Sequence, residues 1–393
     1  MPRALLFLTL VLTSGSGCGR SPAPSTGPLA DSLDAIVGRF KETTGLPGLA
    51  VGVLMGDSVV YRAGIGVDSE GRPVTARTVF HMASVTKPFV ATAVMQLVEA
   101  GRVSLDSTAT RYLPDFAMKD PAARGITVRQ LLTHVAGMPD VTDYRWHAPE
   151  HDAGSLARWV ATLRDSSLIA RPGEKWQYSN IGYEVLAPLV ATVSAIPFED
   201  YVQQRILTPV GMRSSTLLMT DIDSAAMTAG HSRDSTGTYR RNATYPYNRR
   251  HAGSSTLHSN VDDMLRWAAA NIGRGSLDGQ RFLPAERVEA MWKVERDITE
   301  RFGAVLRHYG IELPVRSLGM GLGWLVLDHD GHRVIEHSGS DLGFTTDFLF
   351  APDDSIGVVV LANGDGLFLL ELSLSLVDAV RTAKAGEAQA SRR

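Results

Sequence analysis

Ser84 and Lys87 stand three positions apart in Phe80-His81-Met82-Ala83-Ser84-Val85-Thr86-Lys87, at the mouth of an apolar run that reaches Gly101. Residues three apart on a helix share a face, so the run, read as a helix, sets a hydroxyl beside an amine. That pair is either a solvated helix entrance or a nucleophile next to its base. An unpaired ammonium buried at the start of an apolar helix costs several kcal/mol, so it must find a partner or lose its proton. A lysine with a lowered pKa is a base. The helix N-terminus adds free N–H groups and partial positive charge, which favour an oxyanion forming at the serine adduct. Pro88 opposes α conformation at Lys87, so an irregular helix start is expected.

Two more segments carry reactive types. In Trp176-Gln177-Tyr178-Ser179-Asn180, the phenol and the amide lie two residues apart and face the same way in extended chain. A tyrosine accepts a proton only if cations lower its pKa, and an asparagine can orient a lysine or a substrate amide. The same residues also read as a helix start with Ser179 or Asn180 as N-cap, and the two readings are compatible. His337 ends a strand-like run and Ser338-Gly339-Ser340 follows. A glycine there lets a substrate backbone lie close, and the N–H of Ser340 could bind an oxyanion; the alternative is a strand terminus with a turn. His147, Glu150 and His151 form a His-x-x-Glu-His pattern known from zinc sites. That chemistry needs a helix, which Pro149 opposes, so a polar loop and no metal centre are expected.

Taken in order, Ser84-Val85-Thr86-Lys87, Tyr178-Ser179-Asn180 and His337-Ser338-Gly339 resemble the three motifs of the penicillin-recognising serine hydrolases. The Tyr-x-Asn form is similar to that of class C β-lactamases, related D,D-peptidases and β-lactamase-like esterases. Flanking text such as GRVSLDSTATRYLP, ITVRQLLTHVAGMPD and ILTPVGMRSSTL looks like the same family, and the resemblance runs from Leu33 to Leu361. It implies that Ser84 is the acylated nucleophile and that Lys87 and Tyr178 share general base and acid duties. Asn180 would orient Lys87 and the substrate, while His337, Gly339 and Ser340 would line the substrate strand. Backbone N–H groups of Ser84 and Ser340 would form the oxyanion hole. The reaction implied is acyl transfer to serine and then hydrolysis, on a small-molecule or peptide substrate, without metal or organic cofactor. A class C-type β-lactamase and a penicillin-binding sensor or scaffold with little turnover are the alternatives. The β-lactamases place a lysine where this chain has His337. A neutral imidazole there weakens carboxylate recognition, so esters, amides or D-amino-acid peptides are expected to be turned over better than penicillins.

The elements that must position these residues follow from periodicity. Asp31 onward reads as a helix, then Leu49–Leu54 and Val59–Ile65 as a hairpin turning at Met55-Gly56-Asp57. The run after Ser84 is apolar nearly all round and predicts a buried central helix closed by Gly101. Residues 101–316 read as mostly helical, and GLGWLVL, HRVIEH, TTDFLF and SIGVVVL as short strands before a closing helix. The pattern predicts an α/β (α+β) fold, and the resemblance implies that it is of the β-lactamase/transpeptidase-like type. An antiparallel sheet of about five strands would be flanked by helices (31–100 and 317–385), with a mostly helical lobe (101–316) and a tail (386–393).

Composition narrows the class. Hydrophobic residues at 44% and charged residues at 21% describe a globular chain, and a net charge of −3 leaves no basic excess for nucleic acid. The single cysteine, Cys18, excludes an internal disulfide. Arg3, an apolar run from Ala4 to Leu12 and small residues up to Cys18 read as an export signal (1–18), followed by a flexible linker (19–30). The segment resembles a lipoprotein signal with Cys18 as the lipid anchor, so a periplasmic or membrane-anchored protein is expected, with plain secretion as the alternative.

Overall fold

The computed structural model describes residues 27–308, 310–312 and 315–390. The export signal and Cys18 lie outside the described residues. Helix α1 spans Pro28–Thr44, so the expected linker is already helical at its last three positions. Gly45, at φ 63, closes the helix with its N–H on the Lys41 carbonyl. Strands β1 (Gly48–Met55) and β2 (Ser58–Gly66) form the expected hairpin, with Gly56 at φ 60 in its turn. Helix α2 (Lys87–Glu99) is buried along almost its whole length and is followed by Gly101 at φ 67. Helices α3 (Asn180–Ser194) and α4 (Val261–Ile272) come from the middle of the chain.

The C-terminal part supplies β3 (Arg296–Asp297), β4 (Ser317–Met320), β5 (Leu325–His329), β6 (His332–Asp341), β7 (Phe344–Ala351) and β8 (Ile356–Ala362). Helix α5 (Leu370–Ala390) closes the fold and continues into the residues expected to be a tail. The sheet is antiparallel in the order β2-β1-β8-β7-β6-β5-β4-β3.

Eight strands replace the expected five or so. The run GLGWLVL is not one strand: β4 ends at Met320, the chain bends and β5 begins at Leu325. Gly323 makes the bend at φ 81, where a methyl group would come within 2.4 Å of the Ala91 side chain on α2. Two-residue strands such as β3 have no periodicity to read. The expected lobe boundaries are also crossed, because α4, which packs on the sheet, and β3, which is one of its strands, both come from residues 101–316. Gly52 of β1 admits α4 closely: a side chain there would meet Val261 and Leu265.

Alternation along the strands sorts side chains into two cores. Ala50, Leu54, Phe348, Phe350, Val359 and Leu361 face α2 and α4. Leu49, Val51, Val53, Leu349, Val358 and Val360 face α1 and α5. Each large side chain removed from water contributes about 1.5–3 kcal/mol, so a one-residue slip in β1 or β8 would exchange the two cores and is strongly disfavoured. Among the described residues, no single helix is long and apolar enough to cross a membrane.

Candidate active site

Ser84 sits in a single 3₁₀ turn, Ala83–Thr86, that runs directly into α2 at Lys87. The expected irregularity falls upstream of Pro88: Lys87 is α-helical at φ −62, ψ −41, while Ala83 is held at φ 47. A non-glycine residue in that region stores strain of about 1–3 kcal/mol and persists only when its surroundings hold it. Here the Met82 N–H donates to the Leu257 carbonyl and Thr346 Oγ1 donates to the Met82 carbonyl. Thr86 Oγ1 accepts from the Leu257 N–H and donates to the Ala83 carbonyl. The turn is thereby fastened to β7 and to the loop before α4.

Ser84 Oγ lies 2.8 Å from Lys87 Nζ and 2.9 Å from the Tyr178 hydroxyl. Lys87 Nζ also reaches Asn180 Oδ1 at 2.7 Å and the Ser254 carbonyl at 3.0 Å. Those last two partners can only accept. A neutral amine therefore spends both N–H groups on them and turns its lone pair to the one partner that can donate, the Ser84 hydroxyl. Burial pulls Lys87 down to about 7, opposed by the nearby carboxylates of Asp140, Asp341 and Glu184. The amine is thus available as a base near neutral pH.

The orientation of Asn180 is set from behind. Its Nδ2 donates to both oxygens of Asp140, at 3.0 and 3.2 Å, and its backbone N–H donates to Asp140 Oδ1 at 2.8 Å. A carboxylate accepts only, so the amide oxygen must face Lys87. Ser179 is the N-cap of α3, its hydroxyl accepting from the Gly182 N–H. The cap and the site share one turn.

Tyr178 stacks on His134 at 4.4 Å between ring centroids. Burial raises the phenol well above its ordinary range. It is therefore a proton donor to Ser84, and the lowering by cations that a phenolate base needs is not present in this state. His134 Nδ1 accepts the Ser179 N–H at 3.2 Å, and burial keeps the imidazole neutral.

His337 does not end its strand. β6 continues to Asp341, with His337 opposite Phe348 and Gly339 opposite Thr346, and the turn comes at Leu342-Gly343. The strand stays extended where it passes Ser84. Glycine is required at 339 by the protein's own backbone: a methyl group there would lie 2.4 Å from the Met82 carbonyl oxygen and 3.0 Å from the Ser84 nitrogen. The Ser84 and Ser340 N–H groups thus come from two closely apposed segments. His337 Nδ1 lies 2.7 Å from the Ser338 carbonyl, and burial together with Lys87 drives its pKa down to about 3. The imidazole is neutral at physiological pH and supplies no permanent cation.

Four features of this site were not legible as motifs. Asp140 orients Asn180. Glu184, one helical turn beyond Asn180, accepts from the Trp159 indole N–H, from Ser254 Oγ at 2.8 Å and from His251 Nδ1 at 2.7 Å. This buried network holds Ser254, whose carbonyl receives Lys87. His81 Nε2 pairs with Asp341 Oδ2 at 2.7 Å, joining a residue just before Ser84 to the residue just after Ser340. The i, i+4 spacing of Asn180 and Glu184 was the one signal available. His147, Glu150 and His151 lie in non-helical chain, with Glu150 2.7 Å from Arg158.

Glu184→Leu is expected to lower stability by about 3–5 kcal/mol, because three buried donors lose a charged acceptor at once. Urea denaturation measures it; a loss under about 1 kcal/mol would show that the network does not carry Ser254.

Several known proteins are similar to this chain in sequence or in fold. The D-alanyl-D-alanine-carboxypeptidase/endopeptidase AmpH of Escherichia coli is 25% identical over 92% of this chain and 91% of its own length. The esterase EstB of Burkholderia gladioli is 33% identical over 47% of this chain and 50% of its own. The D-amino acid amidase of Ochrobactrum anthropi has the same fold, with a TM-score of 0.74 at 20% identity over 91% of this chain and 99% of that one. The family model described as Beta-lactamase matches residues 33–374, and the chain belongs to that family.

Proposed function

We propose that this protein is a serine hydrolase that works through a covalent acyl-enzyme on esters, amides or D-amino-acid peptides. The observation that carries the reading is Ser84 Oγ held between an amine at 2.8 Å and a phenol at 2.9 Å. Ser84 Oγ bonds to the substrate carbonyl carbon while its proton passes to Lys87. The carbonyl electrons collect on an oxygen faced by the Ser84 and Ser340 N–H groups. When the adduct collapses, the leaving group departs with the proton of Tyr178, which recovers one from the Lys87 ammonium. Water then attacks the acyl-enzyme by the same route and restores the serine. The leader expected at residues 1–18 would place this reaction outside the cytoplasm.

A fluorophosphonate probe followed by peptide mapping tests the nucleophile, and a panel of p-nitrophenyl esters, D-amino-acid amides and penicillins tests the substrate class. Labelling of the Ser84 peptide and esterase or amidase turnover that vanishes in Ser84→Ala are the expected results. Turnover surviving in Ser84→Ala places the chemistry elsewhere, and faster hydrolysis of penicillins than of esters or amides overturns the substrate class.

The pH dependence carries its own sign. Lys87 must be neutral to take the proton, and its pKa lies at about 7. For a neutral ester, kcat/KM is expected to rise with pH and level off above an apparent pKa near 7. His337, at about 3, adds no limb between pH 5 and 9. A flat profile across that window removes Lys87 from the role of base.

A further inference from the structure

A cavity of about 330 Å³ opens beside Ser84 and runs along one face of β6 to the start of α5. Its walls are mainly apolar and include Phe302, Leu318, Leu325, Leu369 and Leu370. Tyr178 packs in the same apolar cluster as these five residues. Ser84 and Ser340 both stand in its wall, so a group held in the cavity lies next to the bond that breaks. Among the described residues, no lysine, arginine or histidine lines it.

Its one ionisable wall residue is Glu336, which is 1% exposed and sits on the strand face opposite to that of His337. Glu336 pairs across the sheet with Leu325 and Leu349, and the neighbouring Ser338 pairs with Asp347. Burial and the adjacent Asp347 carboxyl raise Glu336, and burial also raises Asp347. Two carboxyl groups in contact must share a proton, since both are acceptors when ionised. The cavity thus offers apolar contact, a carboxyl group and the hydroxyl residues Ser338, Ser340, Thr345 and Thr346, and no cation that neutralises a negative charge.

We propose that this cavity is the leaving-group subsite and that it takes an apolar, uncharged alcohol or amine while excluding one that bears a carboxylate. The assignment rests on the acyl-enzyme reading above. A carboxylate placed here would lose its water without a cationic partner. An apolar chain would add buried contact with the leucines. The free carboxylate of a peptide C-terminus and the ring carboxylate of a penicillin are disfavoured by the same wall. An ester or an internal or blocked amide is not.

The test uses two esters of the acyl group that the substrate panel turns over fastest, one of n-pentanol and one carrying a carboxypropyl group of similar size. For the unmodified protein, kcat/KM is expected to favour the n-pentyl ester by at least about tenfold. Leu370→Arg adds a cation to the wall and is expected to bring the ratio to about one or invert it. Phosphonate labelling of Ser84 in the variant shows that the fold and nucleophile are intact. Equal rates for the two esters, or a ratio unmoved in a labelled Leu370→Arg, overturn the subsite. Failure of Ser84 to label in the unmodified protein overturns the acyl-enzyme reading instead.

Discussion

Lys87→Met is expected to lower kcat/KM for esters on the order of 10³-fold, within the range that a positioned general base contributes. Methionine is an unbranched chain that fills most of the lysine's volume, so the core around α2 is preserved. What disappears is the amine between Ser84 Oγ, Asn180 Oδ1 and the Ser254 carbonyl. Two buried acceptors lose a donor, each worth about 1–3 kcal/mol. Against that, the chain no longer desolvates an amine whose pKa it had pulled to about 7. Net stability should therefore change less than activity does. The acid limb of the pH profile should also vanish from the residual rate. Activity within about tenfold of the unmodified protein would mean that Lys87 is not the base and that Tyr178 takes the proton unaided.

Gly339→Ala is expected to lower kcat about 10²-fold with a smaller change in KM. The added methyl would lie 2.4 Å from the Met82 carbonyl oxygen. Carbon–oxygen contacts need about 3.3 Å, so β6 and the nucleophile turn must separate by roughly 1 Å. Displacements of that size cost about 10²-fold where geometry controls the rate, and losing an oxyanion donor costs about 10²–10³-fold. Ground-state binding is less sensitive because the charge on oxygen develops only during reaction. Steady-state kinetics on one ester separate the two constants. A kcat within threefold of the unmodified protein would show that the two backbone N–H groups do not act together.

The parts of the site readable in the chain were those whose side-chain types are rare in combination. A lysine at the start of an otherwise apolar helix, a tyrosine two residues before an asparagine, and a histidine next to a glycine each raise a chemical question from local text. The residues that hold them raised none. Asp140 looks like a loop carboxylate, Glu184 like a polar break in an apolar helix, and Ser254 contributes a carbonyl that every residue has. Their meaning lies in separations of 40, 67 and 167 positions between bonded partners. The strand past His337 was misjudged for a related reason. Ser-Gly-Ser has turn chemistry, but pairing with Thr345–Asp347 overrides it. Long alternating strands and the buried helix were evident because burial imposes a period over many residues. Segments of two to four residues impose none, which is why β3 and β4 escaped notice and GLGWLVL passed for one strand.

Placement of β8 between β1 and β7 has an effect on how this chain can be made. β1 leaves the ribosome some three hundred residues before its neighbour at Ile356–Ala362 exists. Until then its inner edge offers unpaired backbone groups flanked by Leu49, Val51 and Val53, the kind of surface on which unfinished chains join one another. A nascent chain must be kept from collapsing on that edge. Truncations that remove Ile356–Ala362 should accumulate as insoluble material rather than as a smaller soluble protein.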